Sequence, residues 1–176
     1  MDNSNLHNAK KMFKHACAFA ECAYFCETEP APIKIRTQWH TIPNIVNSVF
    51  ACEVYIKSIL VYCGMTHAEI KHLSHGLVGL WDKLKELDAG FATMIENAIK
   101  ECFRTSNESL FDEKLEEISN AFKEWRYIYE GFDVKINRNF LIILRNYLRD
   151  GCCLKYYDKN WQSFVESGGK WETADE

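Results

Sequence analysis

Proline is scarce in this chain, at three residues of 176, and glycine stands at only eight. With no internal repeat and no low-complexity tract, neither a repeat array nor a linker-rich layout has a basis in the sequence. No segment of useful length alternates apolar and polar residues at period two, which leaves little or no sheet. No uninterrupted apolar stretch approaches the roughly 20 residues that span a bilayer, so no membrane partner is expected. The chain also lacks an HExxH helix, a set of CxxC pairs and a glycine-rich phosphate loop, since SGGK near the C-terminus follows no strand. No metal and no cofactor are expected on that ground. His15, Cys22 and Cys26 share a helical face, Cys152 and Cys153 adjoin, and His67, His72 and His75 share a loop, but none has the spacing of a rigid ligand set.

What is present suits a globular protein. Apolar residues make up 47% of the chain, aromatics 14% and charged residues 26%, a composition that can bury a core. The length fits one domain, expected over residues 1–165, with a flexible tail at 166–176. Lys10, Lys11 and Lys14 precede the stretch ACAFAECAYFC, yet Glu21 interrupts its apolar run and Asp2 weakens its basic flank. The stretch reads as an amphipathic helix rather than a secretory signal, so the protein is expected in the cytoplasm with its eight cysteines as reduced thiols. None of those thiols carries the flanking signature of a nucleophile.

The prolines are concentrated between residues 29 and 43, where the main connecting loop separates a helix over about 5–27 from one over about 43–63. Apolar residues at three- and four-residue steps mark both helices. After a His-rich loop, Ser74 is placed to cap a short helix through VGLWDKLKEL, and another helix covers 90–103. FDEKLEEISNAFKEWRYIYEG reads as a long amphipathic helix ended by Gly131. INRNFLIILRNYLRDGCCL is apolar nearly all round, as expected for a helix in the middle of a bundle. Trp161, Phe164 and Trp171 are expected to pack a partly ordered tail. The fold class is therefore all-α, an up-and-down helical bundle of about five to six helices.

Two features carry possible chemistry. Glu53 lies on the apolar stripe of the second helix, and Lys57 follows one turn later in the orientation that favours a structural ion pair. In the last long helix Arg138, Arg145 and Arg149 fall within about 40° of one face, Tyr156 extends the line, and Arg126 with Tyr127 ends the preceding helix. The net charge of -4 hides a polarised chain: residues 121–160 hold eight Lys/Arg against five Asp/Glu, while residues 64–120 hold six against eleven. Arginines interleaved with aromatics suit phosphate contacts and base stacking. The same stripe also suits ion pairs with the acidic face of residues 108–117.

The order NSVFACEVYIKSILVYCG, SHGLVGLWDKL, EWRYIYEG and ILRNYLRDG, spread over residues 40–155, resembles the HEPN superfamily of helical domains. Glu53 and Lys57 resemble its Glu-x-x-x-Lys helix, His75, Gly76 and Leu77 its His-x-Leu turn, and Arg126 and Tyr127 its Arg-Tyr pair. The resemblance implies an up-and-down bundle that often dimerises. It also implies RNA cleavage, or partnership with a nucleotidyltransferase, often in defence or toxin–antitoxin systems.

Active ribonucleases of that superfamily carry an Arg, often followed by a polar residue, then a His after four to six intervening residues. Arg145 and Asn146 match the start, but positions 150–152 hold Asp150, Gly151 and Cys152. The expected function is thus a non-catalytic or degenerate HEPN-like domain that binds RNA, a nucleotide or a partner protein through Arg126, Tyr127, Arg138, Arg145 and Arg149. One alternative is a metal-independent endoribonuclease with an atypical proton carrier, Asp150 or His75. Another is a structural adaptor without nucleic-acid binding. Asn44, Asn47, Ala51, Tyr55, Ser58 and Tyr62 form a second face on the second helix, expected to serve a homodimer.

Overall fold

A computed structural model describes residues 3–28, 40–73, 75–125 and 136–169. Among them are eight helices and no strand: α1 (Asn3–Thr28), α2 (Thr41–Tyr62), α3 (His67–His72), α4 (Leu77–Leu87), α5 (Ala89–Phe103), α6 (Leu110–Trp125), α7 (Arg138–Tyr157) and α8 (Trp161–Glu166). The chain is all-α, with two more helices than the upper expectation. The additions, α3 and α8, are six residues each, too short to show a periodicity. Local capping makes them.

Thr66 accepts from the Glu69 amide while Glu69 accepts from the Thr66 amide, a complete capping box at the start of α3. Asn160 accepts from the Ser163 amide at 2.8 Å, and Asp150 accepts from the Trp161 amide at 3.0 Å, which together satisfy the first turn of α8. After α8 the Gly169 N–H returns to the Phe164 carbonyl. Ser74, Arg126, Tyr127, Gly131 and Trp171 lie outside the described residues, and Gly76 holds the N-cap of α4.

Helix α2 is the hub. It packs against α1, α7, α4, α6 and α3, and Ile45, Val49, Cys52, Ile56 and Ile59 are at most 1% exposed. Its mean hydropathy of 1.5 makes it long and apolar enough to cross a bilayer, but 67% of that stretch is buried against the rest of the chain. Ala16, Ala20 and Ala23 of α1 are buried; their small side chains let α1 lie close to α2.

That centrality overturns the expected dimer face of α2. Asn44, Ala51, Tyr55 and Ser58 are fully buried, with Asn44 donating to the Ala23 carbonyl at 2.9 Å and Ser58 bonded to the Tyr156 hydroxyl at 2.9 Å. Small and polar residues sit there because neighbouring helices of the same chain approach and bond to them. Asn47 and Tyr62 of the same face are half-buried.

Helices α5 and α7 meet at Gly151, where an added Cβ would lie 2.9 Å from Phe91 Cε2 and 3.2 Å from Ile95 Cδ1. Gly151→Val should therefore lower stability by about 1–3 kcal/mol through overpacking. Urea unfolding checks this, and a valine variant as stable as the parent would show that the two helices yield there.

Candidate functional site

The arginine stripe of α7 shares one face, whose middle residue is buried while Arg138 and Arg149 are half-buried. Arg145 is 2% exposed, although it is among the largest side chains in the molecule. Its guanidinium grips Glu27 of α1 in a fork, Nη1 to Oε1 at 2.8 Å and Nη2 to Oε2 at 3.3 Å, and Nη1 also donates to Ser48 Oγ of α2 at 2.8 Å. A buried guanidinium requires such a carboxylate, since removal from water is not offset by packing alone. The carboxylate comes from a residue 118 positions away, not from the acidic face of 108–117. Three of those acids pair with lysines, Glu108 with Lys100, Asp112 with Lys85 and Glu117 with Lys114, and Glu113 accepts from Ser109.

The network continues outward. Asn44 Nδ2 donates to Glu27 Oε1 at 2.8 Å, and Arg138 Nε donates to Asn44 Oδ1 at 3.3 Å. Arg138 is only half-buried and borders an open hollow of about 400 Å³ with Lys114, Glu117, Ile136, Asn137 and Asn139. Burial acts to raise the Glu27 carboxyl, but hydrogen bonds from Arg145 and Asn44, with the charges of Arg145 and Arg138, outweigh it and hold the group below its ordinary 4.5.

Where a family histidine would stand, the backbone leaves little room. Cys152 is fully buried, and Gly151 abuts Phe91, so an imidazole fits at neither position. Asp150 is half-buried and accepts the Trp161 amide. Asn146 is half-buried on the same helix. Tyr156, which extends the arginine line, is 7% exposed, and burial holds its phenol well above 10. The thiols of Cys17 and Cys52 are pushed up to about 12 by burial, which keeps them protonated and unreactive near neutral pH.

A second cluster joins two of the sequence signatures. Glu53 is 2% exposed; its Oε1 receives Lys57 Nζ at 2.6 Å and lies 2.9 Å from His75 Nδ1. The charge of Lys57 compensates the buried carboxylate, and an ionised carboxylate is acceptor-only, so Nδ1 carries the proton and Nε2 its lone pair when the ring is neutral. His75 is 73% exposed and presents that ring to solvent. Glu53 Oε2 is buried with no partner among the described residues. The spacing of Glu53 and Lys57 is readable in the sequence; the return of His75 to the same oxygen is not. Among the described residues, no three His, Cys, Asp or Glu side chains group as a metal site.

Arg149, the last of the stripe, is half-buried beside Trp161, with its Cζ 4.8 Å from the ring centroid. It forms no ion pair among the described residues.

Arg145→Ala should lower stability at neutral pH by about 3–5 kcal/mol, because Glu27 is left half-buried without its counter-charge. The sign with pH follows from the depressed carboxyl: its contribution is complete above the unfolded value near 4.5 and is lost as pH falls through the folded value. The gap between parent and variant in urea unfolding should accordingly narrow on acidification. A variant as stable as the parent at neutral pH would show that the pair is dispensable.

No family model, no curated protein and no solved structure matches this chain.

Proposed function

We propose that the chain is a degenerate HEPN-like domain, a cytoplasmic binding module that does not cleave RNA by the superfamily's Arg-and-His chemistry. The observation that carries this reading is the Arg145–Glu27 fork. A guanidinium that is 2% exposed, with both Nη groups committed inside and its unpartnered Nε–H shut off from water, presents no reachable donor to the developing charge on a phosphate. The residues after it reinforce the point, since Asp150 caps α8 and Cys152 is buried. The packing of α2 against α1, α4, α6 and α7 supports the bundle that the resemblance implies.

Binding then rests on the arginines that reach the surface, Arg138 and Arg149. RNA or a nucleotide is the favoured ligand class, because guanidinium groups beside aromatic rings suit phosphate and base together. A homodimer would use a face other than that of α2.

One observation favours a second reading, an endoribonuclease with an unusual proton carrier. Of the two carriers considered, His75 is the better placed: it is exposed and oriented by a buried carboxylate, an arrangement suited to general acid–base work. Asp150 is already engaged.

Incubating the pure protein with labelled single-stranded RNA separates these readings. Intact RNA, retained at low salt and released as salt rises, is the expected result. Cleavage abolished by His75→Gln would replace the binding reading with the enzymatic one. Intact RNA that is not retained at any salt concentration would leave only an adaptor.

A further inference from the structure

The corner where α1 meets the C-terminal half of α7 and α8 differs from the rest of the surface. Three rings follow one another across it: Tyr157 lies 4.6 Å from Phe164, and Phe164 lies 5.8 Å from Trp161 with their planes 28° apart. Phe13 supports this row from α1, meeting Trp161 edge-on at 6.3 Å. A cation stands at each end of the row, Lys10 Nζ at 4.7 Å from the Tyr157 ring and Arg149 Cζ at 4.8 Å from the Trp161 ring.

The charges at this corner are distributed unusually. Arg145, Lys57, Lys100, Lys114 and Lys155 each meet a carboxylate within 3 Å. Arg149 has an indole instead: its Nε is shut off from water, and none of its N–H donors meets an acceptor among the described residues. The carboxylates on the same elements do not answer it. Asp150 is bonded to the Trp161 amide, Glu166 accepts from Gln162 at 2.9 Å, and Asp158 lies at the C-cap of α7. On α1, Lys10, Lys11 and Lys14 precede its first acidic residue, Glu21, which like Arg149 acts on the Cys17 thiol but forms no ion pair with Arg149.

A guanidinium close over a ring is restrained by the cation–π attraction, and a fork without a carboxylate matches the geometry of a phosphate. We infer that this corner is a phosphate-binding site for single-stranded RNA, in which Arg149 takes the phosphodiester, Trp161 restrains the guanidinium, and Lys11 and Lys14 of α1 add long-range attraction. The inference rests on the binding reading above and, of its two surface arginines, places the phosphate on Arg149 rather than on Arg138.

The test uses the full chain and a fluorescein-labelled oligouridylate of about twelve nucleotides. Arg149→Gln should weaken binding about tenfold and reduce the slope of log affinity against log salt by about 1, with an unchanged melting temperature. Arg149→Lys keeps the charge without the fork and should recover the salt slope but only part of the affinity. Saturation with the oligonucleotide should also change tryptophan emission in the parent and not in Trp161→Phe. If Arg149→Gln binds like the parent while Arg138→Gln does not, the site is overturned and the binding reading stands. If the parent binds at no salt concentration, both fall.

Discussion

The fork between Arg145 and Glu27 is the constraint around which the rest is arranged. It ties the end of α1 to the middle of α7, and through Ser48 and Asn44 it recruits the first turns of α2. A buried guanidinium is tolerable only when its partner and accessory acceptors are in place. The three helices are therefore positioned by one polar requirement as well as by packing, and non-directional apolar burial does not by itself select their relative setting.

The same constraint decides what α7 can do. An arginine that stabilises charge on a reacting phosphate must be reachable, and Arg145 is not. The helix then divides by depth: Arg145 is structural, Arg138 reaches the rim through Asn44, and Arg149 rests on the α8 aromatic row without a carboxylate. Glu53 provides a second instance of a buried carboxylate answered by its own chain. Here the answer comes from Lys57 one turn on and from His75 beyond α3. The two clusters differ in consequence, because the Glu27 cluster closes a group off while the Glu53 cluster holds a histidine out toward solvent.

The sequence signals that worked were periodic. Apolar residues at three- and four-residue steps marked the long helices, and the absence of period-two alternation excluded sheet. The signals that failed were those in which spacing specifies a face but not its direction. On α7, which is apolar nearly all round, nothing along the chain says which side carries the core. The arginine face gave no sign of its depth: Arg145 is buried, while Arg138 and Arg149 are half-buried. On α2 the run of small and polar residues looked like a partner surface, but Asn44 and Ser58 serve the chain's own α1 and α7. α3 and α8 were missed because single capping contacts create them, and Asp150, which helps start α8, reaches it from another helix.

By itself, then, the sequence determined the all-helical class, the positions of the long helices and the adjacency of Glu53 and Lys57, because each depends on neighbours within a turn or two. Tertiary structure alone decided that Arg145 is spent on Glu27, that His75 returns to Glu53, and that Arg149 lies on Trp161. Those pairings join residues separated by 118 and 22 positions and by the turn into α8. Burial, which makes a charge demand a partner, is a property of the packed chain and is not written at any one position.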